Sequence, residues 1–525
     1  MISDQKVLRR KLKRTWTTFF VRFGKLRPIQ EKTIPVVLDK KNAIIVSSTA
    51  SGKTEAVIAP LAERLLEERW EGLSILYISP TKALVNDMYY RLKEQMDELG
   101  ILISLKTGDR PNFNPNKLPN FLITTPESLD SLICRHSSAF KNLKVVVMDE
   151  IHLIDNTYRG DQLIILLKRL RHLANTDFNI YALSATVADP KDVGNRYLRD
   201  FEVITTSDKR DIEYTLVRSI DEVYDYVRKE NIKKILIFGN KRVNVENVAK
   251  KCKKIWGEYN VVLHHGSLNK HIREDAENFM KETRYGVCVA TMTLEIGIDI
   301  GDIDAVVLAE VPWSISSLLQ RIGRGNRRTQ KHRVFAIYKT EDERAILEQM
   351  FSTAQSGYIE PVEYSPHLSV VVQQIFSSLY AKPTGLEDDY FIELFRDFCS
   401  QDDLKDILNH LANKEWIEKR YNKWYATTKL MDLGEKGKIH SNIPSSNMLK
   451  VVDAYSNKII GEVMYPVDDI FILNGKAWKT VHKSDTKIVV QPKKSNAPTA
   501  KFIPHRAKGY FYYYLPREIR NKTAG

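Results

Sequence analysis

The stretch Ser47–Thr54, SSTASGKT, separates an apolar run from a helical pattern and decides how the first part of the chain folds. Ala43–Val46 is a short, mostly β-branched run typical of a buried strand, and Glu55–Glu68 has apolar residues at helical spacing. A strand, a small-residue loop ending in Gly-Lys-Thr and a helix predict a phosphate-binding loop. Serine stands where the first glycine of that motif is expected, so these eight residues alone also fit an ordinary strand-to-helix turn.

Length and composition narrow the class of protein. The chain has 525 residues, which predicts several domains, and its 43% hydrophobic and 28% charged residues are typical of a globular protein. No apolar run is long enough for a membrane span, and we expect a cytoplasmic protein without a signal peptide or membrane partner. The four cysteines lie far apart without a Cys-x-x-Cys pair, which argues against a zinc module or a disulfide framework.

The positive charge is concentrated at the two ends. Of the net +14, residues 1–27 contribute +8 and residues 476–525 contribute +10, so the part between them is slightly negative. Aromatic residues lie among the basic ones, at Trp16, Phe19 and Phe20 and again at Tyr510–Tyr514. Basic ends of this kind suit a nucleic acid. For Tyr510–Tyr514 alone, we favour a hydrophobic strand.

Short apolar strands alternate with amphipathic helices over two consecutive halves, which predicts two parallel-sheet α/β domains. In the first half the predicted strands are Ile44–Ser47, Ile75–Ser79, Leu102–Leu105, Phe121–Thr124, Val145–Met148 and Ile180–Leu183. In the second half they are Lys234–Phe238, Val261–His264, Gly286–Ala290, Ala305–Leu308 and Val334–Tyr338. Only the first half contains Gly-Lys-Thr, so one nucleotide-binding loop is predicted.

The pattern changes after about Glu341. Helical segments are followed by the alternating stretch Trp416–Leu430, which turns at Tyr421–Lys423 and gives the outline of a winged helix. From Met448 onward, β-type runs predict a small β-rich domain. We expect domains at residues 1–207, 208–345, 346–440 and 441–525, the first including the basic N-terminal segment.

A pair of carboxylates follows a second buried strand. Val145–Met148 leads directly into Asp149-Glu150-Ile151-His152. Carboxylates at the carboxyl end of a parallel strand face the same sheet edge as the phosphate loop. Asp149 is therefore a candidate Mg²⁺ ligand through water, and Glu150 a candidate to orient or deprotonate the attacking water.

Taken together, these motifs resemble those of superfamily 2 helicases over roughly residues 20–340. FGKLRPIQ (23–30) resembles the adenine motif, SSTASGKT motif I, and DEIH motif II. Further segments in the order of that superfamily are PTKAL (80–84), TGD (107–109), TPESL (125–129), SAT (184–186), IFGN (237–240), HGS (265–267), TMTLEIGID (291–299) and QRIGRGNR (320–327).

The resemblance implies ATP and Mg²⁺ bound between two RecA-like domains. It implies catalytic roles for Asp149, Glu150, Gln320, Arg324 and Arg327, the two arginines reaching the γ-phosphate from the second domain. It implies nucleotide contacts from Phe23, Arg27, Gln30, Thr49, Ala50, Ser51, Gly52, Lys53, Thr54, Glu55, Gly297 and Asp299, with Thr54 and Asp149 on the metal. His152, Ser184 and Thr186 would couple hydrolysis to strand binding. Without nucleotide, we expect Lys53 and the two arginines to lie apart.

The resemblance also implies a path for one nucleic-acid strand, gripped through its phosphates rather than its bases. The implied contacts are Pro80, Thr81, Lys82, Thr107, Gly108, Thr125, Pro126, Glu127, Asn240, His265, Gly266, Thr291 and Thr293. Thr125 and Thr293 fit a helix cap equally well.

Among superfamily 2 helicases, the chain looks most like the core of the large helicase-related (Lhr) family. The carrying features are DEIH, LRPIQ, QRIGRG and the C-terminal region. The resemblance implies an α/β fold of two tandem RecA-like domains, a winged helix and a small β-rich domain. It implies 3′-to-5′ translocation on single-stranded DNA and unwinding of DNA duplexes or RNA:DNA hybrids, in DNA repair or genome defence. Two alternatives stay open: an RNA helicase, and an ATP-driven clamp or translocase without unwinding activity in a larger protein complex.

Overall fold

The fold consists of two parallel sheets, each carrying an additional region. The computed structural model describes residues 2–47, 51–110, 113–185, 187–206, 211–291, 301–325, 331–356, 363–443, 448–464, 470–474, 476–484, 487–493 and 509–522. Within these residues, no helix is both long and apolar enough to cross a membrane.

Domain 1 is a seven-stranded sheet with helices on both faces. Its helices are α1 (Ile2–Lys11), α2 (Trp16–Phe20), α3 (Pro28–Leu38), α4 (Lys53–Glu67), α5 (Lys82–Glu98), α6 (Pro126–Arg135), α7 (Tyr158–Leu173) and α8 (Pro190–Tyr197). Its strands are β1 (Asn42–Val46), β2 (Ile75–Ile78), β3 (Ile103–Lys106), β4 (Phe121–Thr124), β5 (Val145–Met148), β6 (Asn179–Ser184) and β7 (Phe201–Thr205). The order is β3-β4-β2-β5-β6-β1-β7, and all neighbouring strands are parallel.

Domain 2 repeats this architecture with six parallel strands. They are β8 (Asp211–Val217), β9 (Lys234–Phe238), β10 (Val261–His264), β11 (Gly286–Ala290), β12 (Ala305–Leu308) and β13 (Lys331–Ile337), in the order β10-β11-β9-β12-β13-β8. Its helices are α9 (Ile220–Lys229), α10 (Arg242–Trp256), α11 (Lys270–Glu282), α12 (Ile315–Ile322) and α13 (Glu341–Ser356). The two predicted parallel-sheet domains are confirmed.

A helical region follows domain 2. Its helices are α14 (Ser369–Ala381), α15 (Asp388–Phe395), α16 (Gln401–Asn413) and α17 (Thr428–Glu435). Its strands are β14 (Leu386–Glu387), β15 (Ile417–Arg420) and β16 (Lys423–Ala426), which form a small antiparallel sheet. The predicted hairpin therefore forms and turns at Tyr421–Asn422.

The predicted β-rich region is a five-stranded sheet. Its strands are β17 (Met448–Asp453), β18 (Ile459–Met464), β19 (Ile470–Leu473), β20 (Lys476–Lys483) and β21 (Lys487–Pro492), in the order β18-β17-β21-β20-β19. The last described helix is α18 (Arg517–Lys522).

Each added region shares a hydrophobic core with a different RecA-like domain. Apolar residues of α14, such as Val370 and Phe376, belong to one cluster with Leu163 and Leu167 of α7 in domain 1. Phe471 of the five-stranded sheet belongs to a cluster that includes strands of domain 2. Domain 1 therefore shares its core with the helical region, and domain 2 shares its core with the five-stranded sheet.

Two predictions about the ends of the chain were wrong, and four strands were not predicted. Phe19 and Phe20 are 0% and 2% exposed, so these aromatic side chains are core of domain 1 rather than a nucleic-acid surface. Tyr510–Tyr514 is a 3-10 helix, not a strand, and Phe511 packs edge-on against Phe376 of the helical region. The sequence reading also missed strands β7, β8, β14 and β20, which are short or rich in polar residues.

Candidate functional site

The loop before α4 is held by contacts that leave little room for substitution. Gly52 has a φ of 89°, and a Cβ there would lie 2.5 Å from Nε2 of Gln30. Only glycine fits a positive φ beside so close a neighbour without strain. Lys53 is buried, and its Nζ donates to the Ser47 carbonyl at 2.6 Å. The lysine is thus positioned at the start of α4, where helix N–H groups point outward.

The predicted carboxylates lie at the carboxyl end of β5, beside the loop that follows β1. Asp149 is buried, and Ser79 Oγ donates to its Oδ2 at 3.4 Å. Burial first, and then the charge of Glu150, raise the pKa of Asp149 to about 7. Two carboxylates in one buried space favour a cation or a shared proton between them.

Glu150 has a strained backbone, with φ of 44° and ψ of 45° in a residue that is not glycine. Burial alone would raise its pKa, but the charges of Lys53 and Arg324 lower it. Its Oε2 is buried and has no hydrogen-bond partner among the described residues. Glu150 therefore combines a strained backbone with a buried carboxylate oxygen whose hydrogen-bonding capacity is unused within the described residues.

His152 connects the carboxylate pair to the end of β6. The Ala185 N–H donates to His152 Nδ1 at 3.1 Å, and Glu150 Oε2 lies 3.4 Å from the same nitrogen. Burial lowers the pKa of His152 to about 4, so the ring is neutral. Its Nδ1 accepts from Ala185, and the approach to Glu150 is therefore not an ion pair. Ser184 precedes this contact, and its buried Oγ has no partner in the described parts of the chain.

Arg324 of domain 2 faces the carboxylates of domain 1. Its side chain is buried, and its charge, like that of Lys53, lowers the pKa of Glu150 and of His152. The expected separation of Lys53 from Arg324 in the absence of nucleotide stays a prediction. Both act on one carboxylate, because the two domains meet here: Ala83 of α5 packs against the core of domain 2.

Two of the residues predicted to bind adenine, Arg27 and Gln30, lie beside the loop at Gly52. Gln30 is buried, and its Oε1 accepts from the Arg27 N–H at 2.9 Å while its Nε2 donates to the Gly52 carbonyl at 3.4 Å. Phe23 is exposed, with the Arg22 guanidinium over its ring. Glu55 forms an ion pair with Arg91 of α5.

The buried oxygens of the site fit a nucleotide and a divalent cation. Ser51 Oγ, Glu150 Oε2 and Ser184 Oγ are all buried without a hydrogen-bond partner in the described residues. Lys53 supplies positive charge close by, and Thr54 follows it in the first turn of α4. Hard oxygen donors beside a helix N-terminus are the donor set that suits Mg²⁺ and phosphate.

Six of the eight predicted strand contacts of domain 1 line one cleft of 630 Å³, while Thr107 and Pro126 are buried beside it. Thr81 and Thr125 both cap helices, since each Oγ1 accepts from the backbone N–H three residues later. Lys82 pairs with Asp109, and Glu127 is held by both arms of the Arg159 guanidinium. Thr107 is buried, whereas six predicted residues line the cleft: Pro80, Thr81, Lys82, Gly108, Thr125 and Glu127.

In domain 2, the side chain of the predicted contact residue His265 has a structural partner. Its ring is fully buried, and its Nε2 is bonded to Glu246 at 2.8 Å. Glu246 also accepts from the Asn474 N–H of the five-stranded sheet, so this pair fastens that sheet to domain 2. Gly266 next to it is exposed, and Asn240 donates to the Val311 carbonyl at 2.7 Å. Thr291 is buried at the end of β11.

Gln320 lies on α12 and donates to Ser316 Oγ at 3.4 Å. Some predicted residues lie outside the described residues: Thr49, Ala50, Thr186, Thr293, Gly297, Asp299 and Arg327. Sequence reasoning missed Ser79, Arg91 and Arg159, which hold Asp149, Glu55 and Glu127 in place. These three residues belong to no sequence motif, because each one contacts a site residue that is distant from it in sequence.

Comparison with known proteins agrees with this geometry. The DEAD/DEAH box helicase profile matches residues 27–193, and the helicase conserved C-terminal domain profile matches residues 218–329. Each of the two parallel-sheet domains therefore matches a helicase domain family. The chain also resembles the ATP-dependent helicase Lhr-Core of Methanocaldococcus jannaschii (30% identity) and that of Saccharolobus solfataricus (28%). The alignments cover 94% and 92% of this chain but only 64% and 62% of those relatives, so the chain spans less than two thirds of their length.

Solved helicases share the fold. A structure of Mycobacterium smegmatis helicase Lhr bound to ssDNA and AMP-PNP aligns with a TM-score of 0.71 and 24% identity, covering 83% of this chain and 63% of that one. The DUF1998 helicase MrfA bound to DNA and AMPPNP aligns with a TM-score of 0.74 and 22% identity, covering 92% of this chain and 72% of that one. These neighbours confirm the α/β fold with two RecA-like domains.

Proposed function

We propose that the chain is an ATP-dependent helicase that moves 3′ to 5′ along single-stranded DNA and unwinds DNA duplexes or RNA:DNA hybrids, in DNA repair or genome defence. The observation that carries the proposal is the composite site. Lys53 and the carboxylates come from domain 1, and Arg324 comes from domain 2 and acts on the same buried carboxylate. A site divided in this way requires both domains for hydrolysis.

The residues of domain 1 bind and orient the nucleotide. Gln30 recognises the adenine edge, and Lys53 neutralises the β- and γ-phosphates. Thr54 and Asp149 would hold Mg²⁺, which supplies neutralising charge to the phosphate oxygens when it is bound. Glu150 accepts a proton from the attacking water or orients it, and its unmatched Oε2 is the atom for this task.

The arginine of domain 2 stabilises charge that develops on the γ-phosphate oxygens. His152 links Glu150 to Ser184 and Ala185 at the end of β6, so a change in the position or charge of Glu150 during hydrolysis reaches that loop. Since ATP bridges the two domains and its products do not, each hydrolysis releases one domain from the other. If the two domains grip a strand alternately, this cycle moves the chain along it.

The relatives support the choice of DNA. The Mycobacterium smegmatis Lhr structure and the MrfA structure are both described as bound to DNA together with an ATP analogue. Helices α14 to α16 and their small sheet have the outline expected of a winged helix, and we assign them to strand separation at the junction.

ATP turnover with and without single-stranded DNA tests the proposal. We expect DNA to stimulate turnover, and displacement of a strand from a 3′-tailed duplex but not from a 5′-tailed one. Turnover indifferent to any nucleic acid would refute it. Stronger stimulation by RNA of the same sequence would identify an RNA helicase instead, and turnover without displacement would identify a clamp.

A matched control uses Lys53→Ala. This variant should lose turnover and keep DNA binding, because Lys53 contacts the phosphates and not the strand. Turnover retained by the variant at the wild-type rate would remove Lys53 from the site.

A further inference from the structure

The cleft of 630 Å³ beside the predicted strand contacts has a second wall that the motifs do not describe. Gly437, His440, Ser441 and Ile443, which follow α17, form this wall. Opposite them lie Lys106 at the end of β3 and Arg135 at the end of α6. The cleft is therefore bounded by domain 1 on one side and by the chain leaving the helical region on the other.

The cleft carries unbalanced positive charge. Lys82 and Arg159 also line it, but Asp109 and Glu127 neutralise them. Lys106 and Arg135 have no salt-bridge partner within the described part of the chain. Burial and the charge of Arg135 lower the pKa of Lys106, as expected of cations held close together without a counterion.

A buried network behind the cleft adds to this charge. Asp130 is fully buried and accepts from Arg169 Nη1 at 2.9 Å, and its Oδ2 is bonded to His440 Nδ1 at 2.7 Å. Burial would lower the pKa of His440, but its hydrogen bonds to Asp130 and Cys134 raise it to about 9. One carboxylate thus lies between two cations, and the His440 Nε2 is buried without a hydrogen-bond partner among the described residues.

Asp130, Cys134 and His440 also bring three metal-ligand atoms within 4.8 Å of one another. Arg169 donates to Asp130 and lies 3.7 Å from the Cys134 sulfur, so a guanidinium already fills the position a cation would take. Arg169 and His440 therefore already occupy both oxygens of the Asp130 carboxylate.

We propose that a phosphodiester group of the bound DNA strand occupies this cleft, held by Arg135 and Lys106 on one wall, with His440 in the opposite wall. The proposal rests on the proposed function, since it extends the strand path of domain 1. The cleft is continuous with Thr81, Gly108 and Thr125, which favours a nucleic-acid strand as the source of the phosphate. Contacts of this kind fix the position of the strand without reading its sequence.

Methylphosphonate substitution tests the proposal. In a short single-stranded DNA, each phosphate in turn is replaced by its neutral methylphosphonate, and the affinity of the full chain is measured for each oligonucleotide. One position should weaken wild-type binding about tenfold, as expected for loss of a charge-assisted contact. In Arg135→Gln the same substitution should cost less than about twofold, and the slope of log affinity against log salt should fall by about 0.7.

The control is Arg199→Gln, which removes the same charge at the opposite sheet edge, where the Arg199 carbonyl accepts from Asn42. It should keep the wild-type pattern of methylphosphonate penalties. His440→Gln should behave like Arg135→Gln; because His440 is buried and its variant can misfold, the exposed Arg135 carries the test. Equal penalties in wild type and Arg135→Gln at every position would overturn the inference alone. Failure of the wild type to bind unmodified DNA would overturn the proposed function as well.

Discussion

Domain 1 and domain 2 share a parallel-sheet architecture but contribute different chemistry and hold their added regions differently. Domain 1 supplies the phosphate loop, both carboxylates and the cleft, and it holds the helical region through a buried network centred on Asp130. Domain 2 supplies Arg324, and it holds the five-stranded sheet through Glu246 and backbone bonds near Ser267. Each RecA-like domain and its added region would therefore move as one body in the proposed ATP cycle.

The largest expected effect is on kcat, and it tests whether domain 2 contributes to the chemical step. Arg324→Ala should lower kcat by about 10³-fold while ATP still binds, because the arginine acts on charge in the transition state. Glu150→Gln in domain 1 should also keep ATP binding and trap the closed state. Single-turnover hydrolysis and binding of a fluorescent ATP analogue measure the two steps. If Arg324→Ala loses ATP binding together with turnover, the arginine holds the ground state and the division of labour is wrong.

We call the contact between domain 1 and the helical region the junction of domain 1, and the contact between domain 2 and the five-stranded sheet the junction of domain 2. Loss of one side chain should destabilise the junction of domain 1 more than that of domain 2. Asp130→Ala leaves Arg169 and His440 buried without a counterion, which should cost about 3–5 kcal/mol. The midpoint and slope of the first unfolding transition in urea measure this cost. Asp192→Ala is the matched control: Asp192 is half exposed in its pair with Arg196, so its loss should cost less than about 1 kcal/mol. Equal costs would show that the Asp130 network does not stabilise the junction.

The junction of domain 2 depends on close backbone approach. A Cβ at Gly461 would lie 2.4 Å from the Ser267 carbonyl oxygen, so Gly461→Ala should push the sheet away at a cost of about 1–3 kcal/mol. Hydrogen exchange should then speed up at the Glu462 and Asn269 amides, which donate across this junction. Gly108→Ala, whose Cβ would meet only the flexible Lys82 side chain, should leave exchange there unchanged. Unchanged protection in Gly461→Ala would mean that the sheet is held elsewhere.

The elements that could be predicted from sequence are those determined by a few consecutive residues. Ile44 to Val46 and Val145 to Met148 are apolar runs long enough to require burial, and the loops after them carry residue types tied to phosphate chemistry. Both strands form within one or two residues of their predicted bounds. Local patterns of this kind need no knowledge of the rest of the chain.

What sequence could not predict depends on long-range pairing. His265 looked available for a strand because its motif neighbours are small and polar, but Glu246 and Asn474 bury it. The cleft wall at His440 is 310 residues from Asp130, its hydrogen-bond partner. Phe511 likewise ended in the helical region, because its burial against Phe376 is decided by tertiary packing and not by β propensity.

The smallest expected effect is a pH dependence of stability that the junction of domain 1 should show and the junction of domain 2 should not. The pKa of His440 rises from its ordinary value near 6.5 to about 9 on folding, so the stabilisation is complete below about pH 6.5 and is lost as the pH rises through 9. Between pH 7 and 8.5, the first unfolding transition should lose about 1–2 kcal/mol in the wild type. His440→Gln should be less stable at pH 7 and lose little over the same range, because it cannot be protonated. Exchange at the Glu462 amide across the domain 2 junction, corrected for the intrinsic effect of pH, should keep its protection. If His440→Gln loses as much unfolding free energy over this pH range as the wild type, another group causes the pH dependence. His440 would then be neutral in the Asp130 network.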